Sequence, residues 1–272
     1  MNYPYESIVP NRDLPFKMFL FEGANGNYYR EKHWHREIEI FSVFTGGLEF
    51  VLEKGDIALS AGQIIVVNSN EVHAIRAPIP NHTLVIQIPL DLFSDYLSPA
   101  GMISFHHRVP ACDAEANQIT DRLNRVYEAH DYGYELMARG LCYEFLYLLV
   151  TRYRIENISS ALVHQYRNLD RLSRITDYMQ QNFTKDLTLE HVSGVFNYAP
   201  TYLAHMFRSY AGTTFKAYLQ HVRLEHAKRD MDSTDKPLGE IALDNGFASS
   251  KAFAHVFRQQ YGILPSQYKR QL

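Results

Sequence analysis

Between residues 15 and 90 apolar residues cluster or alternate in short runs, "FKMFLFEG", "IEIFSVF", "LEFVLE", "GDIALS", "QIIVVN" and "HTLVIQIP", rich in β-branched and aromatic side chains. Turn residues separate the runs at intervals of about 8 to 12 residues, the pattern of a small barrel or sandwich. From about Glu115 the period lengthens. "ITDRLNRVYEAHD" and "YELMARGLCYEFLYLLVTRYR" carry apolar residues at helical spacing, among them Leu136, Leu141, Phe145 and Leu148. The polar stretch "RIENISSALVHQYRN" predicts a linker, with a boundary near residue 160 and a wholly helical part beyond it.

That helical part contains an internal repeat. "LAHMFRSYAGTTFKAY" (Leu203 to Tyr218) aligns without gaps on "FAHVFRQQYGILPSQY" (Phe253 to Tyr268) at an offset of 50, with Ala, His, Phe, Arg, Gly and Tyr identical at matching positions. Two copies joined by one long helix make a tandem pair, whereas a solenoid needs three or more repeats. Each copy follows a short helical run and a tight turn, "TLEHVSGVFNYAP" and "LGEIALDNGFAS". Gly246 can take the left-handed conformation that ends a helix, and Ser249 and Pro200 suit the start of the next. Helix, turn, helix is a DNA-reading unit, although a plain helical bundle uses the same apolar spacing.

At 272 residues, 46% hydrophobic and 21% charged, the chain has an ordinary globular composition with room for two domains. The sequence has no apolar run of about 18 residues and no signal-peptide pattern at its start, so a cytoplasmic protein without membrane contact is expected. Cys112 and Cys142 are too few for a disulfide framework and are expected as reduced, buried thiols. The net charge of −3 hides an asymmetry: from Gln165 onward 14 Lys+Arg stand against 10 Asp+Glu, and before it 13 against 20. A basic end on an acidic body suits a polyanionic partner.

Residues 170 to 270 resemble the AraC/XylS family of bacterial transcription regulators, through "LAHMFRSYAGTTFKAYLQHVRLEHAKRDM", "IALDNGFASSKAFAHVFRQQYGILPSQYK" and the spacing between them. The resemblance implies an α+β multidomain protein and no enzymatic activity. A cupin-like effector-sensing β-barrel would occupy residues 1–110, a helical dimerisation segment and linker 111–160, and an all-α DNA-binding domain with two helix-turn-helix subdomains 161–272. Recognition helices would run from Pro200 to Tyr210 and from Ser250 to Gln260, joined by a helix over about Thr214 to Asp230. On the first, Thr201, Ala204, His205 and Arg208 form one stripe, and Leu203, Met206 and Phe207 the opposing apolar one. On the second, Ser250, Lys251, Ala254, His255 and Arg258 would face DNA, backed by Phe253, Val256 and Phe257. Because both heads carry Ala, His and Arg in register, related half-sites in direct repeat are expected. The implied partners are double-stranded DNA, a small effector, a second copy of the chain through residues 115 to 155, and RNA polymerase. Leu141, Phe145 and Leu148 suit a helix seam between copies, or equally packing on their own barrel.

"KHWHREIEIFSVFTGG" (residues 32 to 47), read as one strand, points His33, His35, Glu37, Glu39, Phe41 and Val43 to one side and Trp34, Arg36, Ile38 and Ile40 to the other. It resembles the first cupin motif, and "GQIIVVNSNEVH" with Gly62 and His73 the second. Asn68, Asn70 and Ala77 depart from the pattern, and the preceding glycine is shifted to Gly26. In cupin enzymes the positions of His33, His35, Glu39 and His73 hold a divalent metal, and three imidazoles with a carboxylate suit Fe, Mn, Ni or Zn. Family regulators use the same barrel for an effector, commonly a sugar, which His33, His35, Glu37, Glu39, His73 and Gln87 would meet by hydrogen bonding. Metal site, metal-free effector pocket and structural cluster all stand at this point. So does a metal-dependent cupin enzyme, an isomerase or dioxygenase, with a DNA-binding appendage. Gln87 is as consistent with a satisfied core as with ligand contact. Trp34 is expected to pack, and His106 and His107 to lie exposed.

Overall fold

The computed structural model describes residues 5–6, 8–23, 28–53, 55–99, 101–157 and 160–270, so that Gly26 lies outside the described residues. The chain divides into two compact units, Tyr3–Asp170 and Arg171–Leu272.

The first unit stacks two antiparallel sheets and a helical layer. Its strands are β1 (Lys17–Glu22), β2 (Tyr28–His33), β3 (Ile38–Thr45), β4 (Gly47–Leu52), β5 (Gly55–Ser60), β6 (Gln63–Val67), β7 (His73–Ala77), β8 (His82–Ile88) and β9 (Arg108–Val109). They form sheets of order β1-β8-β3-β6-β9 and β2-β7-β4-β5. Alternation divides each strand of the first sheet between two cores. On β3, Phe41 and Val43 face Leu48, Phe50 and Ile75 of the second sheet. Ile38 and Ile40 face the other way and join Phe93, Phe105 and the helices α1 (Ala114–Ala129) and α2 (Tyr134–Leu148). Asp113 caps α1 by accepting from the Ala116 N–H at 3.0 Å, and its second oxygen also takes the Tyr153 hydroxyl and Arg152.

Several expectations change here. Leu141, Phe145 and Leu148 are buried in the core beneath β3 and β8, so the proposed seam is used inside the chain. The exposed stripe of α2 is a different one, Leu136, Gly140, Tyr143 and Tyr147, with Met137 beside it. Cys112 is exposed, because it lies in the surface turn that leads into the α1 cap, whereas Cys142 is buried and its thiol is pushed up to about 12 by burial. The stretch read as a linker is helical from Ser160 onward, within α3 (Ser160–Asn182). Buried Tyr166, Leu169, Leu172, Ile175 and Met179 repeat at three- and four-residue intervals, and this apolar stripe outweighs the polar composition around it.

The second unit is helical. After α3 come α4 (Leu189–Val195), α5 (Pro200–Met206), α6 (Phe215–Ser233), α7 (Leu238–Asp244), α8 (Ser250–Tyr261) and α9 (Pro265–Lys269). Thr188, Thr214 and Ser249 cap α4, α6 and α8 by accepting the N–H three residues on, and Pro200 opens α5. Beyond Met206 the helix widens into a π-turn, Phe207–Ala211, which ends at left-handed Gly212. The second copy stays α-helical to its counterpart Gly262. The turns differ too, with the left-handed residue at Asn197 in the first and Gly246 in the second, where one more residue precedes the next helix.

Candidate functional site

Two regions bring the chemistry-bearing residues together, one in each unit.

In the first unit, residues 32 to 47 do not form one strand. The chain leaves the second sheet at His33 and enters the first at Ile38, so Trp34 to Glu37 make the crossing. The crossing nonetheless delivers His33, His35 and Glu39 to one place, joined by His73 from the start of β7. All four are buried, and the imidazoles present ligand atoms within 4.8 Å of one another. Each ring is oriented from behind by a backbone carbonyl: His33 Nδ1 donates to Glu31 O at 2.9 Å, His35 Nδ1 to Glu37 O at 3.2 Å, and His73 Nδ1 to Glu71 O at 2.9 Å. A carbonyl only accepts, so every Nδ1 carries hydrogen and every Nε2 faces inward. Glu39 Oε2 lies 3.0 Å from His35 Nε2 and 3.2 Å from His73 Nε2, while Gln87 Nε2 donates to Glu39 Oε1 at 2.7 Å.

The charge states follow from these contacts. Burial, aided by His73, lowers the His33 imidazole from 6.5 to about 3, so it is neutral. Burial also opposes charge on His35, but the Glu39 carboxylate against it raises its pKa. Glu39 is pushed up by burial, yet His35 and His73 hold it well below the usual carboxylate range. Neutral His33 therefore turns a bare Nε2 lone pair toward the Glu6 carboxylate, 3.2 Å away. Two acceptors in such proximity call for a shared proton or cation.

The cluster borders a cavity of about 190 Å³ between the sheets, lined by Lys17, Phe19, Arg30, Phe41 and Gln87 among others. Gln87 thus serves both as partner to Glu39 and as wall. Glu37, expected to meet an effector, is not among the lining residues; its Oε2 stands 3.8 Å from His35 Nδ1. Trp34 is fully buried against Tyr5, ring centroids 4.8 Å apart, so it packs as expected. His107 is not exposed as expected: it bonds Val66 O at 3.0 Å and Glu71 at 3.2 Å, tying the loop after the barrel to β6, while His106 is exposed. Lys17 and Arg30 escaped the sequence reading. Lys17 stands at even spacing from Phe19 and Phe21 on β1, a signal of shared facing; nothing in the sequence brings Glu6 to the barrel.

In the second unit, Thr201, His205 and Arg208 are exposed on α5 and its π-turn, with Ala204 half-buried between them. Leu203, Met206 and Phe207 are fully buried beneath. On α8, Ser250, Lys251, His255 and Arg258 are exposed over buried Phe253 and Phe257, and Val256 is only half-buried. His205 Nε2 and Ser209 Oγ lie 3.2 Å apart. Arg223 of α6 braces the pair of subdomains by donating to Phe183 O and Lys185 O, both at 2.8 Å, at the loop against which Gly246 packs.

Residues 16–146 match the AraC-like ligand binding domain and residues 192–271 a helix-turn-helix domain. The chain belongs to the AraC/XylS family. Family relatives include an uncharacterised helix-turn-helix-type transcriptional regulator of Staphylococcus aureus, 24% identical over 84% of this chain. The chain spans only 30% of that protein's length. A second is the probable transcriptional regulator LumQ of Photobacterium leiognathi, 25% identical over 87% of this chain and 91% of LumQ. ToxT of Vibrio cholerae O395 shares the family fold across 95% of this chain and 98% of its own, with a TM-score of 0.54 at 14% identity. No described helix is long and apolar enough to cross a membrane.

Proposed function

We propose that the protein is an effector-responsive, sequence-specific DNA-binding transcription regulator. The observation that carries this is the pair of exposed stripes, Thr201, His205, Arg208 and Lys251, His255, Arg258, displayed in register on two helices that each follow a tight turn. Arg and Lys at these positions suit phosphate and guanine contacts, and the histidines suit base edges. Matching Ala, His and Arg favour an operator of two related half-sites in direct repeat. Selected-site binding tests this: two related half-sites are expected, and two unrelated ones would overturn the direct-repeat reading.

The barrel cavity is the effector site in this reading, fed by residues 1–110 and coupled through 111–160 to a DNA-binding domain over 161–272. Its aromatic walls and the His33, Glu39 and Gln87 groups that line it, with His35 and His73 behind Glu39, suit a hydroxylated molecule of carbohydrate size. An effector acts by favouring one conformer, so operator affinity measured with and without it is the test. The chain would act as a homodimer in the cytoplasm, with the exposed α2 stripe Leu136, Gly140, Tyr143 and Tyr147 as the contact.

A second element rests on the histidine geometry. Three Nε2 atoms fixed inward by backbone carbonyls, one of them bare against Glu6, fit a divalent metal held by His33, His35, His73 and Glu39. Such an ion would neutralise the converging acceptors and offer a Lewis-acidic contact to an effector oxygen. Elemental mass spectrometry of untagged protein purified without chelators should find near-stoichiometric metal that a His35→Ala, His73→Ala variant lacks. Metal-free wild type would leave the cluster as a hydrogen-bonding wall.

A further inference from the structure

Of the two cations that line the barrel cavity, one has a carboxylate partner and the other has none among the described residues. Lys17 on β1 pairs in register with Gln87 on β8, and both line the cavity. The Lys17 ammonium lies 5.1 Å from the Phe19 ring centroid, and among the described residues no carboxylate pairs with it. Arg30 on β2 does have an anionic partner, Glu6, whose Oε1 is 2.9 Å from the guanidinium. Glu6 Oε2 reaches His33 Nε2 at 3.2 Å. A carboxylate of the chain's own therefore already stands at the cavity, paired with the Arg30 guanidinium.

Glu6 is held there by its backbone, its N–H donating to Trp34 O at 2.9 Å, and not by its side chain alone. The carboxylate can leave while the segment stays. The Arg30 and Glu6 side chains are 45% and 26% exposed, so their ion pair is solvent-screened and weak enough for an incoming anion to displace.

We propose that the cavity binds a small monocarboxylate, which replaces the Glu6 carboxylate at Arg30 and is met by the Lys17 ammonium. Charge-assisted hydrogen bonds from Lys17 and Arg30 are the strong contacts available to such a ligand. Phe19, Tyr28 and Phe41 would flank its body. At about 190 Å³ the cavity lies below the roughly 300–1,000 Å³ of drug-sized sites, so the acid is small. This rests on the reading of the cavity as the effector site and narrows its ligand to acids, among which a hydroxylated and an aromatic body remain to be separated.

The test is calorimetric titration of the full-length protein with two acids, galacturonate and benzoate, beside their neutral counterparts galactose and benzyl alcohol. At least one acid should bind while its counterpart does not, and which acid binds identifies the body. Lys17→Met should weaken that acid by about tenfold or more, Lys17→Arg should restore most of it, and Glu6→Gln should tighten it several-fold by removing the internal competitor. A merely structural Lys17 would not give rescue by arginine, and a merely structural Glu6 would not give a gain. Equal or tighter binding of a neutral counterpart overturns the proposal, as does an acid affinity indifferent to Lys17→Met, or no binding of either acid. Operator affinity measured in the same samples keeps the two levels apart. Binding of galactose with a change in operator affinity removes the acid proposal and leaves the effector reading standing; ligand binding with no effect on DNA removes the effector reading.

Discussion

Gly246 and Gly262 share a φ of +76° yet differ in what surrounds them, which makes them a matched pair. A Cβ at Gly246 would stand 2.7 Å from Phe183 O, 2.9 Å from Thr184 Cα and 3.0 Å from Arg223 Nε, while one at Gly262 meets nothing within 4 Å. Alanine at either position incurs the left-handed backbone penalty of about 1–2 kcal/mol. At Gly246 the clash is with backbone, which cannot swing aside as a side-chain tip can, and overpacking of this kind adds about 1–3 kcal/mol. The expected cost is thus roughly 2–5 kcal/mol for Gly246→Ala against about 1–2 for Gly262→Ala. Urea unfolding followed by far-UV circular dichroism measures both, with the midpoint of the helical transition falling further for Gly246→Ala at an unchanged slope. Gly246→Ala should also weaken operator binding at concentrations of urea too low to unfold it, since Gly246 itself lies in the second turn, ahead of α8. Equal midpoints for the two variants would refute the account, because it attributes their difference to the close contacts at Gly246, above all the Phe183 carbonyl and Thr184 Cα.

Arg208→Ala and Arg258→Ala should each lower the slope of log affinity against log salt by about 0.9 if each arginine meets one phosphate, and an unchanged slope would remove that residue from the interface. His226 stacks on Phe183 with ring centroids 4.0 Å apart, and burial, with Arg229 nearby, lowers its pKa from 6.5. The unfolded chain then binds the proton more readily, so the stability His226 supports is complete above about pH 6.5 and lost as the pH falls through and below it. His226→Phe should flatten the fall of the helical unfolding midpoint between about pH 7 and 5. Glutamate at both Leu136 and Tyr143 should turn dimer into monomer in sedimentation without unfolding, whereas Leu141→Glu, aimed into the core, should unfold the barrel unit.

The tandem heads were legible because their residues repeat in sequence: the buried Leu203, Met206, Phe207 and the exposed Thr201, His205, Arg208 fall on the faces that helical spacing assigns. The π-turn at Phe207–Ala211 was not, since a one-residue widening leaves the apolar pattern unchanged. The histidine cluster was legible as residue types but by the wrong geometry. A period of two placed His33, His35 and Glu39 on one strand face, and the chain instead crosses between sheets from Trp34 to Glu37 and brings them together from both ends. For Leu141, Phe145 and Leu148 the sequence left two uses open and the structure takes packing on their own barrel, because periodicity shows that such residues are buried but not against what. Cys112 and His107 were misjudged because exposure in turns and loops depends on contacts distant in sequence, for His107 the Val66 carbonyl and Glu71.

The Arg223 brace has a consequence for the DNA. Its guanidinium grips the loop after α3 while Gly246 backs onto the same loop, and α6, at about 1.5 Å per residue, is a rod of roughly 28 Å between the two turns. Heads joined this way act as a fixed gauge. An operator with one base pair inserted between its half-sites would present the second groove out of phase, with no slack in the protein to follow it, so the spacing of half-sites should be under tighter selection than the letters within them.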